Sequence, residues 1–333
     1  FKMNVDFLET IDPKSNYELI SHEENVDFIL KSYKKERLHQ AYIFSGTEGI
    51  GKATFAYSLA RFLLSDLNLD GFTLDRSHKV SKLIESNTHP DLLIIEPTSD
   101  KKDRFISIDQ ARKCSDFFSH TPSMSKWRIC IIDSIDFMDI TSSNTILKIL
   151  EEPPSYCLFI IIAQKIDSVI ETIRSRCIEL KFKDIDNNII TKKLKLLKPE
   201  LLDSEVSSFV NLSEGSIGKL NDLVKEESLN IHKELENIIL NKEISSSIYS
   251  FSDFILKEDA TSNKFNFFVN CIIFKVNLLV KRLAISNSSR VIKEGLDLRD
   301  NILKLVQQER IFKLNKKQTI ISLITNLNKL VNL

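Results

Sequence analysis

Three glycines and a lysine early in the chain have the spacing of a phosphate-binding loop. Gly46, Gly49, Gly51 and Lys52 follow an apolar run at 41–44 and precede residues that share one helical face. In such a loop, backbone N–H groups and a helix N-terminus bind anionic oxygens, and the lysine reaches the outer phosphates. The whole chain has 7 glycines, so three within one short loop indicate a tight backbone turn. We therefore predict a phosphate-binding fold here.

The residues that would hydrolyse a bound nucleotide are incomplete. Ala53 follows Lys52, at the position where the pattern has a Ser or Thr hydroxyl that ligates Mg²⁺. A predicted strand ends in Asp133, which would hold the magnesium shell, but Ser134 stands where an acid would polarise the attacking water. Asp136 comes later, in the turn. We predict that the chain does not hydrolyse ATP and that its nucleotide site is degenerate.

Two arginines, Arg174 and Arg176, lie just before the last predicted strand. One interpretation is a turn that carries two surface arginines. The other is an arginine presented from the edge of the domain to a neighbouring subunit, where its planar donors would stabilise charge on a transferring phosphate. The residues alone leave both interpretations open.

The elements that position these residues follow from alternating apolar runs and helical patterns. We predict strands at 41–44, 92–96, 129–132, 158–163 and 177–182, and helices at 106–119, 142–152 and near 167–173. This alternation predicts an α/β domain with a mostly parallel sheet covered on both faces. After Phe182 no run is typical of a buried strand, and residues 200–333 contain no proline, which predicts helices throughout.

Composition describes an ordinary globular protein with 42% hydrophobic residues, 28% charged residues and no net charge. Within 260–333, however, 13 Lys and Arg stand against 4 Asp and Glu, a surplus of nine. Such a surplus indicates either a solvated helical face or a surface near nucleic acid or an acidic partner. The five cysteines are not at metal-ligand spacing, which indicates core thiols in a reducing compartment. Without a signal peptide or a long apolar run, we expect a cytoplasmic protein.

Several further strings accompany the glycine-rich loop: His89-Pro90-Asp91, Arg128–Asp133, Asn144–Pro154, Ser175–Cys177 and Gly215–Lys219. Together with the altered loop they resemble the subunits of bacterial replicative clamp loaders, which are AAA+ proteins. The resemblance covers about residues 40–220. Within this family the chain is most similar to the delta-prime type of DNA polymerase III subunit. Motor subunits of the tau/gamma type resemble it too, but they keep an intact loop and an Asp-Glu pair.

The resemblance implies a three-domain chain: an AAA+ P-loop core at 1–182, a small helical lid at 183–225 and a helical collar at 226–333. It implies a non-hydrolysing subunit of the DNA polymerase (nucleotidyltransferase) holoenzyme that presents Arg176 to the ATP site of an adjacent motor subunit. The implied partners are the motor (tau/gamma) and delta subunits, the sliding clamp and, through the assembled complex, primer-template DNA. No membrane is implied.

The chain departs from the family at two places. Gly215–Lys219 resembles a second sensor motif, in which an arginine commonly lies near the nucleotide, but the basic residue here is Lys219. Related subunits usually carry four zinc-binding cysteines in the stretch that corresponds to 64–88, and this chain has none there. We therefore expect no structural zinc and no required cofactor.

Two other functions compete with this interpretation. The first is an active AAA+ motor of the tau/gamma type, which Ala53 and Ser134 oppose. The second is a P-loop nucleotide kinase or an unrelated DNA-binding regulator, which the helical C-terminal third and the Asn144–Pro154 string oppose.

Overall fold

The computed structural model describes residues 12–67, 71–98, 105–241, 246–257, 263–286 and 289–333. It divides the chain into two compact units. The first runs to Glu200 and includes Ser213–Lys219, and the second comprises Leu201–Leu212 and Leu220–Leu333. The three-domain division stays a prediction. The first 11 residues of the predicted core, and residues 68–70 within the stretch expected to lack zinc, lie outside the described residues.

The first unit alternates helices and strands, as its sequence predicts. In chain order its elements are α1 (Glu23–Lys34), β1 (Ala41–Ser45), α2 (Lys52–Leu64), α3 (Lys79–Glu85), β2 (Leu92–Ile95), α4 (Ile108–Phe118), β3 (Arg128–Ile132), α5 (Ile140–Glu151), β4 (Cys157–Ala163), α6 (Glu171–Arg174), β5 (Ile178–Lys181) and α7 (Asn187–Leu197). All five predicted strands are present, and α4 and α5 fall within two residues of their predicted bounds. The sequence did not predict α3.

The five strands form one parallel sheet in the order β2-β3-β4-β1-β5. Every residue of β1, β3 and β4 is buried. A parallel sheet is covered on both faces by its crossover helices, so its central strands are apolar throughout rather than alternating. The predicted α/β architecture is therefore confirmed.

Successive residues of each central strand pack on opposite faces of the sheet, as strand geometry requires. On one face Phe44 and Ile160 join a core with Phe55 of α2. On the other face Ile43 and Phe159 contribute to a separate core; its members from α4 and α5 include Ala111, Cys114, Ile146 and Leu150. Because the sheet is fixed from both sides, the residues that follow each strand are held at one edge.

All five strands point the same way, so their carboxyl ends share one edge of the sheet. The glycine-rich loop follows β1 there, Asp133 follows β3, and Gln164 follows β4. Loops at the carboxyl ends of parallel strands form the ligand-binding crevice of open α/β sheets. The fold therefore brings the predicted phosphate-binding residues together at this edge.

The remainder of the chain is helical in the residues that the structure describes, which confirms the prediction for the region after Phe182. The elements are α8 (Asp203–Ser213), α9 (Ile217–Leu223), α10 (Glu226–Asn241), α11 (Ser246–Leu256), α12 (Asn263–Ser286), α13 (Ser289–Phe312) and α14 (Lys316–Val331). The second unit has its own core, in which Phe268 and Ile272 of α12 pack with Leu323 and Leu327 of α14. Across the described helices, none has the length and apolarity needed to cross a membrane.

Candidate functional site

The loop between β1 and α2 turns at its three glycines. Their φ angles are +147° at Gly46, +77° at Gly49 and +101° at Gly51, in the region that residues with a Cβ rarely adopt. At Gly46 there is also no room, because a Cβ would lie 2.5 Å from the carbonyl oxygen of Phe182. The glycine spacing seen in the sequence is thus a backbone requirement of this loop.

Lys52 is the first residue of α2, and its side chain is 5% exposed. Its ammonium group donates to the carbonyl oxygens of Gly46, at 2.5 Å, and Thr47, at 2.6 Å. Burial lowers the pKa of Lys52, and the nearby Asp133 partly opposes that shift. An ammonium group has three N–H donors, so two hold the loop and one is left for an anion.

The start of α2 supplies further donors. Gly51 caps the helix without a side-chain hydrogen bond. The first N–H groups of any helix have no acceptor within the helix, and the helix dipole places positive potential at that end. With the glycine backbone beside it, this arrangement can bind a phosphate group.

The residues at this edge are poorly suited to ligate magnesium or to activate a water molecule. Ala53 is the second residue of α2 and has no hydroxyl, while Thr54 is turned about 100° further around the helix and is buried. Burial raises the pKa of Asp133. The hydroxyl of Ser134 donates to Asp133 at 3.2 Å, so this position gives the aspartate a neutral partner and no second charge.

Both carboxylate oxygens of Asp136 accept hydrogen bonds from residues that follow β4. One carboxylate oxygen accepts the backbone N–H of Gln164 at 2.8 Å, and the other accepts the hydroxyl of Ser168 at 2.5 Å. Such bonds fix the chain after β4 and leave this acid with a structural role. Asp136 thus lies in the turn after β3, where the sequence places it.

Glu96 follows β2 at the same edge as Asp133 and is a site residue that the sequence pattern did not single out. Its carboxylate pairs with the ammonium group of Lys14 at 3.0 Å and accepts the Tyr57 hydroxyl at 3.3 Å. Its negative charge acts on Asp133 in the same direction as burial and raises the pKa further. The signal was present in the sequence as an acid at the end of a predicted strand, but the pairing of β2 with β3 was needed to bring it beside Asp133.

The segment Gly215–Lys219 lies directly on the glycine-rich loop. The N–H of Gly218 donates to the carbonyl oxygen of Gly49 at 2.9 Å, and the Ser216 hydroxyl donates to the carbonyl oxygen of Glu48 at 2.8 Å. The approach is close, because a Cβ on Gly49 would lie 2.5 Å from the Ser216 hydroxyl oxygen. We call this arrangement the loop clasp.

Lys219 has its own partner in the clasp segment. Its ammonium group donates to the Glu214 carboxylate at 2.6 Å, and its side chain is 40% exposed. An exposed lysine paired within its own segment is a weak counterpart of the arginine that the second sensor motif commonly carries.

Arg176 lies at the other edge of the sheet from the loop. It precedes β5, and it lines a cavity of about 340 Å³ together with Gln40 and Ala41, where β1 begins. The glycine-rich loop follows β1 at its far end, and a five-residue strand spans about 17 Å. Arg176 therefore lies too far from the glycine-rich loop of its own chain to contact a phosphate bound there. Arg174 is paired with Asp167 at 3.8 Å.

No zinc-like arrangement is present among the described residues, which contain no group of three His, Cys, Asp or Glu positioned to hold a metal ion. The described cysteines are free thiols, four of them buried.

Comparison with known proteins gives consistent matches. A family model described as DNA polymerase III, delta subunit, matches residues 21–186. The gamma subunit of DNA polymerase III from Buchnera aphidicola subsp. Acyrthosiphon pisum is 29% identical over 259 residues, which are 74% of this chain and 69% of that protein. The tau/gamma subunit from Haemophilus influenzae is 29% identical over 214 residues, or 63% of this chain. The chain spans 30% of the length of that relative.

Among solved structures, a DNA polymerase III gamma subunit-related protein from Thermotoga maritima is similar, with a TM-score of 0.50 and 16% identity. The match covers 91% of this chain and 99% of that protein. At this identity it supports the fold alone, a parallel sheet followed by helices. The family model and the curated relatives agree with the motifs, and the chain is similar to subunits of DNA polymerase III.

Proposed function

We propose that this chain is a non-hydrolysing, delta-prime-like subunit of the DNA polymerase III clamp loader. In this role it helps to load the sliding clamp on primer-template DNA during replication. It presents Arg176 to the ATP site of a neighbouring motor subunit, while its own glycine-rich loop serves the fold.

The observation that carries the proposal is the residue set at its own loop. Ala53 cannot ligate Mg²⁺, and the position after Asp133 holds a hydroxyl that bonds the aspartate. Hydrolysis of ATP needs a metal to neutralise the developing charge and a residue to orient water, so both parts are missing. The loop retains phosphate-binding geometry, which is compatible with a bound anion that is not turned over.

Arg176 supports the second half of the proposal. It lies at the edge of the sheet away from its own loop, next to an open cavity. An arginine supplied by a neighbour stabilises the charge of the transferring phosphoryl group, and its planar fork of donors suits that task.

The mechanism follows from linkage between ATP and the shape of the ring. An ATP at an interface stabilises the arrangement in which both subunits contact it, so the ring closes when ATP is bound and relaxes after hydrolysis. The closed ring opens the clamp and holds primer-template DNA. That grip consists largely of phosphate contacts, which are salt-sensitive and independent of sequence. The proposal requires no cofactor or zinc in this chain, and it places the chain in the cytoplasm with the motor and delta subunits.

A second candidate is an active motor of the tau/gamma type. The observation in its favour is that the curated relatives carry gamma or tau/gamma names. The two candidates differ in one property, which is ATP turnover by the chain itself.

The deciding experiment measures ATP hydrolysis by the isolated chain and by Lys52→Ala. We expect both rates to equal the background, because the metal ligand and the water-orienting acid are absent. Turnover by the wild-type chain above that of Lys52→Ala would establish the motor function instead. Failure of the chain to co-purify with motor and delta subunits would favour the P-loop kinase or regulator.

A further inference from the structure

The Arg176 guanidinium is held by a carboxylate from another element. Its Nη2 donates to Glu151 at 2.6 Å, and its Nη1 donates to the carbonyl oxygen of Thr172 at 2.7 Å and to the Ser175 hydroxyl at 3.3 Å. The side chains of Arg176 and Glu151 are 33% and 50% exposed. The pair is thus at the surface but is fixed from two directions.

This arrangement leaves part of the guanidinium available. The group has five N–H donors in one plane, and the three bonds above use three of them. In the part of the chain that the structure describes, the remaining two, on Nε and Nη2, have no bonded acceptor. Two such donors match two oxygens of a phosphate.

The position of Glu151 is not explained by its own helix. It is the last residue of α5, and the helix dipole disfavours a negative charge at that end. Exposed ion pairs also add little to stability. Leu150 is buried in the core and Pro153 follows the helix, so the Glu151 carboxylate is carried on a rigid element.

We propose that Glu151 is a positioning residue for Arg176. Together with the Thr172 carbonyl it fixes the plane of the guanidinium, so that the two unused donors meet a phosphate of the neighbouring subunit already oriented. An unrestrained arginine would lose rotamer freedom at that step, and a fixed one has lost it in advance. This inference rests on the proposed function, because it gives Glu151 a role only through Arg176.

The test uses the clamp loader assembled from its partner subunits, with this chain as wild type, Glu151→Ala, Arg176→Ala or the double variant. Glu151→Ala should lower kcat of the DNA- and clamp-stimulated ATPase by about 3- to 10-fold, with little change in KM for ATP. It should have no further effect in the Arg176→Ala background, since residues that act as a unit are not additive.

Two controls separate positioning from damage. Glu151→Gln keeps an oxygen acceptor at the same place and should restore the rate to within about 2-fold. Glu152→Ala removes the adjacent exposed carboxylate and should leave the rate unchanged. Equal melting temperatures of all variants would show that folding is not the cause.

Three results would overturn the inference: an unchanged rate in Glu151→Ala, a faster rate that reveals Glu151 as a restraint, or an equal loss in the Arg176→Ala background. If Arg176→Ala itself leaves the rate unchanged, it is the proposed function that fails, and the two failures are therefore distinguishable.

Discussion

Lys52 occupies the position of the lysine in a phosphate-binding loop, but two of its three N–H donors bond carbonyl oxygens of that loop. The bonds to the Gly46 and Thr47 carbonyls join the start of the loop to the start of α2. Lys52 is buried, so its loss would leave these carbonyls without their charged donor. The residue therefore has a structural role whether or not a phosphate binds.

This role predicts a stability effect. Lys52→Ala should lower the free energy of unfolding of the first unit by about 1–3 kcal/mol, the range for hydrogen bonds to a charged group. Urea unfolding followed by circular dichroism measures it, and the exposed Lys183→Ala serves as the matched control. A Lys52→Ala chain as stable as the wild type would assign the lysine to ligand binding alone.

His89 makes the stability of the first unit depend on pH. It is 4% exposed, its Nδ1 accepts the Asp91 N–H at 3.2 Å, and its buried Nε2 has no partner. Burial lowers the pKa of His89. The folded state therefore resists protonation, while the unfolded state takes up a proton below about pH 6.5.

The first unit should become more stable as pH rises through this range. Where the unfolded state binds more protons, stability rises with pH, so the contribution is complete above pH 6.5 and is lost as pH falls below it. The slope from one histidine is at most about 1.4 kcal/mol per pH unit. His89→Asn keeps an acceptor for Asp91 and should flatten the slope between pH 5.5 and 6.5. The exposed His120→Gln is the control, and an identical slope in His89→Asn would refute the assignment.

At the scale of elements, the loop clasp connects two segments that are far apart in sequence. Its closest approach is at Gly49, where a Cβ would meet Ser216 at 2.5 Å and Gly218 at 2.9 Å. By contrast, Gly51 has a φ of +101° but open space around it, and Gly71 has open space without a positive φ. An alanine would therefore meet both steric clash and backbone strain at Gly49, backbone strain alone at Gly51, and neither at Gly71.

We predict graded losses for alanine at these three positions. Gly49→Ala should destabilise by more than about 2 kcal/mol, because clash and strain add. Gly51→Ala should cost about 1–2 kcal/mol from strain alone, and Gly71→Ala should be neutral within about 0.5 kcal/mol. Chemical unfolding of the three variants measures the order, and equal effects at Gly49 and Gly71 would rule out the clasp.

Much of this element-scale organisation could be predicted from sequence. Runs of apolar residues bounded by Pro, Gly and Asp gave all five strands, because buried parallel strands are apolar throughout. The helix α3 was missed because it is seven residues long and buries only Val80 and Ile84 among its apolar positions, too few to establish a period.

Other features depend on tertiary contacts that periodicity does not contain. The sheet order decides that Glu96 lies beside Asp133. The parallel pairing of β1 and β5 decides that Arg176, which precedes β5, is far from the loop that follows β1. Likewise, Gly215–Lys219 resembles a nucleotide sensor in sequence, and its contact with Gly49 became visible only in the structure. Residue types therefore predicted which catalytic groups the site lacks. Which residues contact one another there depends on the fold.

At the scale of the whole molecule, the helical unit carries the basic surplus of residues 260–333, of which 260–262 and 287–288 lie outside the described residues. Part of this surplus is balanced by acids outside the region, since Lys317 pairs with Asp253 at 2.5 Å and Lys275 pairs with Glu236. These pairs favour the interpretation as a solvated helical face. A role near nucleic acid remains a prediction for the assembled loader.

The proposed function places the chemistry served by this chain on a neighbouring subunit. The most direct measurement is the DNA- and clamp-stimulated ATPase of loader assembled with wild-type or Arg176→Ala chain, at equal assembly by gel filtration. We expect a rate about 10-fold or more lower with Arg176→Ala, the scale of an arginine supplied in trans, while the variant folds normally. An unchanged rate in the assembled complex would contradict it.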